Sequence, residues 1–157
     1  AKYAWTSGNV KLLLSMNGVD VFSAMVIATE IVDIRRFTTP WKLVAYAGLA
    51  PGQRESAGKT RRGKITKQGS RLLRWIMVQS ARQAVRCDER FKAYYERIER
   101  KKGDGKAVVA VAKEMLVVVW HMLMKKEEYR GVKQELYQRK LAKLEKFSSG
   151  LVEELDE

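Results

Sequence analysis

Apolar residues recur along most of the chain every three or four positions, which is the spacing of one face of an α-helix. Glycine and proline residues separate these periodic stretches. The pattern predicts helices at Val10–Ser15, at Val21–Val32, from Thr39 through Tyr46, from about Ser70 past Ala84, from Asp88 through Ile98, and at Lys106–Lys126. The predicted fold class is therefore all-α, a compact multi-helix domain.

Polar residues that suit helix ends precede several of these stretches. Thr39 followed by Pro40 forms an N-cap and first-turn pair, and Asp88 is placed to cap a further helix. The helix after Ser70 is predicted to bury Leu72, Leu73, Ile76, Met77, Ala81 and Ala84. After a break at Gly103 and Gly105, Lys106–Lys126 is the most apolar helix and is expected to run through the centre of the domain.

The pattern changes after Gly131. Val132, Leu136, Leu144 and Phe147 fall roughly along one helical face, and the acidic end "LVEELDE" is expected to fray. We therefore predict a helical domain over residues 1–130 and a helical extension over residues 131–157. The extension either packs on its own domain or pairs with a second copy in a homo-oligomer, and the sequence leaves both open.

Composition adds a partner class to this outline. The 157 residues are 46% hydrophobic, enough for one buried core, and 31 basic residues against 18 acidic ones give a formal net charge of +13. Such a charge usually indicates a polyanionic partner, most often nucleic acid. No apolar run reaches the roughly 18 residues of a membrane span, and no secretory signal pattern opens the chain, so we expect no membrane partner. The single Cys87 excludes an internal disulfide and fits a reducing compartment. The chain lacks an initiator Met, and we expect it to be a fragment of a longer protein.

The first candidate nucleic-acid contact is the stretch "LLLSMNGVDVFSAMVIATEI". A helix, a tight turn at Gly18 and a second helix resemble a helix-hairpin-helix element, in which free amides at the turn bind a phosphate. The best-known form has a second glycine two residues later, where this chain has Asp20. An ordinary helix turn is the alternative interpretation.

The second candidate is the stretch from Gly52 to Arg74, in which only Glu55 opposes the basic residues. The candidate phosphate-binding residues are Arg54, Lys59, Arg61, Arg62, Lys64, Lys67, Arg71 and Arg74. Gly58, Gly63 and Gly69 allow a close backbone approach. We predict a flexible, basic, glycine-rich loop that holds a phosphate backbone, with Arg71 and Arg74 facing the same groove, rather than a merely solubilising loop.

Ser56, in the first part of this loop, has three possible roles. It could stabilise a turn, donate a hydrogen bond to a phosphate, or attack phosphorus as a nucleophile. The sole histidine, His121, is predicted to lie in the core, so a Ser–His pair is disfavoured, while the nearby arginines could stabilise charge that develops on a phosphate. No carboxylate pair or Cys/His cluster has metal-binding spacing, so no metal site is predicted in this chain.

The order of these motifs resembles a known family. From about Leu12 to Val85, the glycine turn, Phe37, "YAGLAP", Ser56 and "ITKQGSRLLR" follow one another as in the C-terminal domain of insertion sequence 110 family transposases, with their 116 and 902 relatives. The resemblance implies a DNA recombinase that excises and inserts a mobile element under the guidance of a bridge RNA. Ser56 would be the serine that attacks DNA and forms a covalent protein–DNA intermediate.

The resemblance also implies parts that this chain does not contain. Family members carry an N-terminal RNase H-like domain with acidic ligands for a divalent metal, here taken as Mg²⁺, and without that domain the fragment is expected to bind nucleic acid but not to cut it. The protein is accordingly expected in a prokaryotic cytoplasm, associated with the nucleoid.

Two departures from the family pattern concern the serine. The family serine is generally followed by glycine, where this chain has Ala57, and Ser70 stands where the family often has asparagine. Ser70 is the competing serine, although its position before "RLLRW" suits an N-cap better. A non-catalytic helical nucleic-acid-binding module, with Ser56 as a turn or phosphate contact, remains the alternative function.

Overall fold

The structure, a computed structural model, describes residues 8–56 and 59–156. Within these ranges the chain forms seven α-helices, one short 3-10 helix (Ile34–Arg36) and one pair of strands. The helices are α1 (Gly8–Leu14), α2 (Val21–Ile31), α3 (Pro40–Tyr46), α4 (Arg71–Cys87), α5 (Glu89–Lys102), α6 (Asp104–Lys125) and α7 (Gln134–Asp156). The strands are β1 (Pro51–Ser56) and β2 (Lys59–Ile65). The predicted helix-dominated class is confirmed.

Helix α6 lies at the centre of the core, as its apolar sequence predicts. It packs against α3, α4 and α5, and Val111, Met115 and Val119 along it are fully buried. By length and composition alone α6 could span a membrane, which the sequence analysis did not anticipate. Half of its most apolar stretch is buried inside the protein. The apolar composition of α6 is therefore explained by its place as a core helix.

The polar residues predicted at the helix ends make the expected caps. The Lys42 amide donates to Thr39 Oγ1 at 3.3 Å, and Pro40 occupies the first turn of α3. The Phe91 amide donates to Asp88 Oδ1 at 3.1 Å, which opens α5. The predicted break before α6 falls at Gly103, whereas Gly105 lies inside α6.

A buried polar network joins the α1–α2 turn to distant parts of the chain. Asp88 Oδ2 accepts from Asn17 Nδ2 and from the Tyr129 hydroxyl, both at 2.8 Å, and the Tyr129 amide donates to Ser15 Oγ at 2.8 Å. Burial and the neighbouring Asp88 carboxylate raise the pKa of Tyr129, so this hydroxyl remains a proton donor. The network fixes the turn against the start of α5 and the α6–α7 connection.

Helix α7 packs on its own domain, against α1 and α2. Tyr137 and Leu144 are buried, whereas Phe147 is 43% exposed. The Lys140 ammonium donates to the carbonyls of Leu14 and Met16 at 3.0 and 2.9 Å, and burial lowers its pKa. The acidic end, predicted to fray, stays helical as far as Asp156.

The basic stretch differs most from its prediction. It is not an irregular loop, because β1 and β2 pair as an antiparallel hairpin. The ladder shifts register between Pro51 and Gln53, in a segment that carries Gly52 on one strand and Gly63 on the other. The pattern was missed because polar and charged residues occupy both faces of this ribbon, so the chain shows no apolar alternation there.

Candidate nucleic-acid interface

The base of the hairpin is fixed to the end of α3 by backbone hydrogen bonds. The Thr66 amide donates to the Ala50 carbonyl at 3.0 Å, and the Lys67 amide donates to the Gly48 carbonyl at 3.1 Å. The Ser70 amide donates to the Tyr46 carbonyl at 2.7 Å. The hairpin therefore projects from an anchored base.

Two glycines permit this close approach of backbones. Gly48 has φ +70° and Gly69 has φ +107°, conformations that side-chain-bearing residues rarely adopt. A Cβ at Gly69 would collide with the Tyr46 carbonyl oxygen, and one at Gly48 would lie 2.5 Å from the Gln68 carbonyl oxygen. Only glycine fits at both positions.

The strand register places Ser56 at the end of the hairpin farthest from this base. Ser56 is the ladder partner of Lys59, and Arg54 is the partner of Arg61. Paired residues of an antiparallel ladder, and residues two positions apart along one strand, belong to the same face. Ser56, Lys59, Arg54 and Arg61 therefore share one face of the ribbon, which we name the Ser56 face.

The opposite face carries the one acidic residue of the stretch. Glu55 pairs with Thr60, and Gln53 pairs with Arg62. The register thus separates Glu55 from Ser56 and gives the Ser56 face three cations and no carboxylate.

The remaining predicted contacts lie at the base of the hairpin and on α4. Lys64, Lys67 and Arg71 are exposed. Arg74 is only partly exposed, and its Nη1 atom is buried without a hydrogen-bond partner among the described residues. A Cβ at Gly48 would lie 2.7 Å from that atom, so Arg74 packs beneath the α3–β1 turn while Arg71 faces solvent.

Ser70 is occupied as a helix cap. The Leu73 amide donates to Ser70 Oγ at 3.0 Å, and the Ser70 hydroxyl donates to Glu30 Oε2 at 2.6 Å. The first contact caps α4, and the second holds the start of α4 against α2. The prediction that Ser70 serves as an N-cap is confirmed.

Gly18 lies in a turn that is packed rather than open. Its φ is +93°, and a Cβ built there would lie 2.6 Å from the Ala84 amide nitrogen. Asp20 caps α2 by accepting from the Ser23 amide at 2.8 Å. The turn therefore has a packing reason for its glycine. A phosphate contact at Gly18 stays a prediction.

His121 is exposed, contrary to its predicted place in the core. It stands on the outer side of α6, edge-on to Trp120, with ring centroids 5.0 Å apart. The apolar residues next to His121 in the sequence predicted its burial. That prediction is wrong because α6 carries apolar residues outside its buried face as well. Among residues 8–56 and 59–156, no group of three or more His, Cys, Asp or Glu side chains is arranged to hold a metal ion.

The model of the transposase IS116/IS110/IS902 family matches residues 10–96. The chain belongs to this family.

Curated relatives extend the likeness beyond the matched region. A probable family 20 transposase of Pseudomonas aeruginosa is 31% identical over 126 residues, covering 77% of this chain and 37% of the relative. The transposase for insertion sequence element IS1111A of Coxiella burnetii is 28% identical over 120 residues, covering 74% of this chain and 33% of the relative. The insertion element IS110 protein of Streptomyces coelicolor is 32% identical over 113 residues, covering 71% of this chain and 28% of the relative. The chain thus spans about a third of the length of these relatives.

The family departure beside the serine concerns Ala57 and Gly58. Both lie outside the described residues. The described strands on either side keep Ser56 and Lys59 in register.

One exposed surface was missed by the sequence analysis. Leu72 was predicted to be buried but is 47% exposed, and Trp75, three residues later on α4, is 48% exposed. Phe22 on α2 is 55% exposed, and its ring lies edge-on to Trp75 with centroids 6.5 Å apart. Helical periodicity could not reveal this cluster, because each residue reads as an ordinary apolar position beside the core stripe.

Proposed function

We propose that this chain is the part of a DNA transposase that binds the DNA backbone and supplies Ser56 as the nucleophile for strand cleavage and exchange. The observation that carries the proposal is the strand register, which puts Ser56 at the outer end of a basic hairpin with Lys59, Arg54 and Arg61 on its face. Membership of the transposase family supports the same role.

The hairpin suits a phosphate backbone in shape and charge. Its six- and seven-residue strands are roughly 20 Å long, and a two-stranded ribbon of this kind can enter a DNA groove. Lys64, Lys67 and Arg71 continue the positive charge from the ribbon to α4. Contacts of this type position a protein on DNA without reading its sequence.

The proposed chemistry is a transesterification at phosphorus. Ser56 Oγ forms a bond to phosphorus, the bond from phosphorus to the leaving sugar oxygen breaks, and the serine proton ends on that oxygen as a hydroxyl. The covalent phosphoserine intermediate conserves the phosphodiester for rejoining. Cations on the Ser56 face would stabilise the negative charge that grows on the phosphate oxygens during the attack.

The rest of the machinery is proposed to lie in the parent protein, since the chain spans about a third of the length of its curated relatives. An N-terminal RNase H-like domain would hold the divalent metal, Mg²⁺. A guide RNA and a second copy of the protein are proposed partners, and the cytoplasm, at the nucleoid, is the proposed location.

The test is a search for the covalent intermediate. The full-length parent, with its guide RNA and a labelled DNA site, is analysed on a denaturing gel beside its Ser56→Ala variant. A detergent-resistant protein–DNA adduct is expected with the native protein. It should be absent with Ser56→Ala, whose DNA affinity should stay within about twofold because one neutral hydroxyl adds little to a backbone contact among many cations.

Ser70→Ala is the matched control. This serine caps α4, so its loss should lower stability while leaving the adduct in place. Cleavage without an adduct, or an adduct that persists in Ser56→Ala, would exclude the serine mechanism and leave a non-catalytic nucleic-acid-binding module.

A further inference from the structure

The solvent-exposed side of α4 combines basic, amide and aromatic residues. Helix α4 contains no acidic residue along its whole length. At helical spacing its exposed side carries Arg71, Trp75, Gln79, Arg82, Gln83 and Arg86. We name this surface the Trp75 face. Basic and aromatic residues interleaved on one surface are typical of proteins that hold single-stranded nucleic acid.

The aromatic pair on this face is exposed to an extent that packing does not explain. Trp75 and Phe22 touch each other edge to face but leave about half of each side chain in solvent. Large aromatic side chains dominate core and interface energetics when covered, so adjacent exposed rings mark a ligand surface more often than an isolated exposed residue does.

A groove beside Trp75 supplies polar partners. Its walls are the α1–α2 turn, the start of α2, the exposed side of α4 and the first turns of α7, and its polar lining includes Gln79, Gln83, Lys140 and the carboxylate of Asp20, which caps α2. Ser80 also lines the groove, with 1% of the residue exposed, and its hydroxyl has no hydrogen-bond partner among the described residues. The exposed side-chain amides of Gln79 and Gln83 are donors and acceptors of the kind that base edges need.

We propose that the Trp75 face binds unpaired bases of a DNA strand that leaves the hairpin. Trp75 stacks on a base, Arg71 and Arg86 contact phosphates on either side of it, and Gln79 and Gln83 hydrogen-bond to base edges. This proposal rests on the proposed function, in which the hairpin holds DNA.

Charge and continuity favour this occupant. Arg71 stands at the first position of α4, next to the hairpin base, and Trp75 follows one helical turn later. From Arg71 to Arg86 the face runs for roughly 22 Å along the helix, enough for several nucleotides. The exposed carboxylate of Asp104 accepts from Arg82 and from the Tyr95 hydroxyl, so it offsets the charge of Arg82, and Arg71 and Arg86 supply the remaining positive charge of the face.

The ligand must be unpaired because stacking requires a free base face. A duplex shows only base edges in its grooves and keeps the ring faces covered by neighbouring pairs. Strand exchange necessarily separates strands beside the cleaved bond, which provides such bases at the place where α4 begins.

The test compares single-stranded and duplex DNA of one sequence by fluorescence anisotropy of labelled oligonucleotides of about 12 nucleotides, a length within the range of known single-strand sites. Trp75→Ala should weaken single-strand binding about tenfold and change duplex binding less than about twofold. Trp75→Phe should keep most of the affinity, because the smaller ring still stacks.

Trp41→Ala is the matched control, since Trp41 is 66% exposed on α3, outside the Trp75 face. Single-strand binding unchanged in Trp75→Ala, or weakened equally by Trp41→Ala, would overturn the proposal. RNA of the same sequence bound more tightly, with the same dependence on Trp75, would assign the face to RNA and also overturn it. So would a change of sedimentation in Trp75→Ala, which would indicate a protein contact.

A double variant separates this inference from the proposed function. Arg61→Ala with Arg62→Ala should weaken duplex binding through the hairpin. Duplex binding that is unaffected by the double variant would refute the hairpin interface. If the double variant weakens duplex binding but Trp75→Ala leaves single-strand binding unchanged, only the proposal for the Trp75 face is refuted.

Discussion

Two constraints, a positive φ and the close approach of α4, act on Gly18 at the same time. Its φ of +93° is a conformation that residues with a side chain rarely adopt, and Ala84 on α4 occupies the space where a Cβ would stand. The glycine lets the α1–α2 turn lie directly on α4. At this scale the structure gives a stability role to a residue that the sequence suggested as a phosphate contact.

Gly18→Ala should therefore destabilise the protein by about 2–4 kcal/mol, the sum of backbone strain and overpacking. The free energy of unfolding, measured by urea denaturation, checks this value. Gly103→Ala is the matched control, because Gly103 has a similar φ of +86° but no described atom within 4 Å of a built Cβ.

Gly103 has φ 86° and ψ 172°, so the control should be destabilised only by backbone strain, by about 1–3 kcal/mol. Equal decreases in the free energy of unfolding for Gly18→Ala and Gly103→Ala would mean that a Cβ at Gly18 does not clash with α4. DNA binding by Gly18→Ala, measured below its unfolding transition, would separately show whether the turn contacts a phosphate.

At the scale of elements, the helices could be predicted and the hairpin could not. Apolar periodicity and caps such as Thr39, Ser70 and Asp88 predict the helices, and both are local features of the sequence. The hairpin has no apolar face to bury, so its pairing depends on the anchoring of its base by Gly48 and Gly69, which is a tertiary effect.

The same division applies to the candidate site. The cations of Gly52–Arg74 are visible in the sequence as a run of one charge sign, and the order of motifs identified Ser56. Which cations share a face with Ser56 depends on strand register, and register cannot be read from a stretch without alternation. The packing of Arg74 under Gly48 is likewise a tertiary contact between segments far apart in sequence.

The hairpin register yields a prediction from two adjacent residues of equal charge. Arg61 lies on the Ser56 face and Arg62 on the opposite face. In the full-length parent, Arg61→Ala should lower the yield of the protein–DNA adduct by tenfold or more, by the size of a lost transition-state donor. Arg62→Ala should leave the yield within about threefold, since a general backbone contact contributes mainly to affinity.

Adduct formation at saturating DNA, quantified on denaturing gels, measures this difference, and saturation removes the effect of affinity. An equal loss of adduct for both variants would contradict the assignment of faces. A larger loss for Arg62→Ala would place the catalytic cations on the Glu55 side of the ribbon.

At the scale of the whole molecule, the net charge of +13 is distributed unevenly. The hairpin, its base and the exposed side of α4 form one positive region, whereas α7 ends in the acidic "LVEELDE". Such a region binds DNA chiefly by releasing counterions from phosphates. Binding should therefore depend steeply on salt and weakly on sequence.

This dependence supplies the last prediction. If about six phosphates are neutralised, a plot of log affinity for duplex DNA against log salt concentration should have a slope of about −5. Arg71→Ala should make the slope shallower by about one, because Arg71 faces solvent at the start of α4. Arg74→Ala should change it by much less, because the Arg74 guanidinium packs beneath Gly48. Anisotropy titrations between about 50 and 200 mM salt measure all three slopes.

A slope near zero for the native chain would remove the basis for any contact with the DNA backbone. Equal changes of slope for Arg71→Ala and Arg74→Ala would show that Arg74 leaves its packed position to reach DNA.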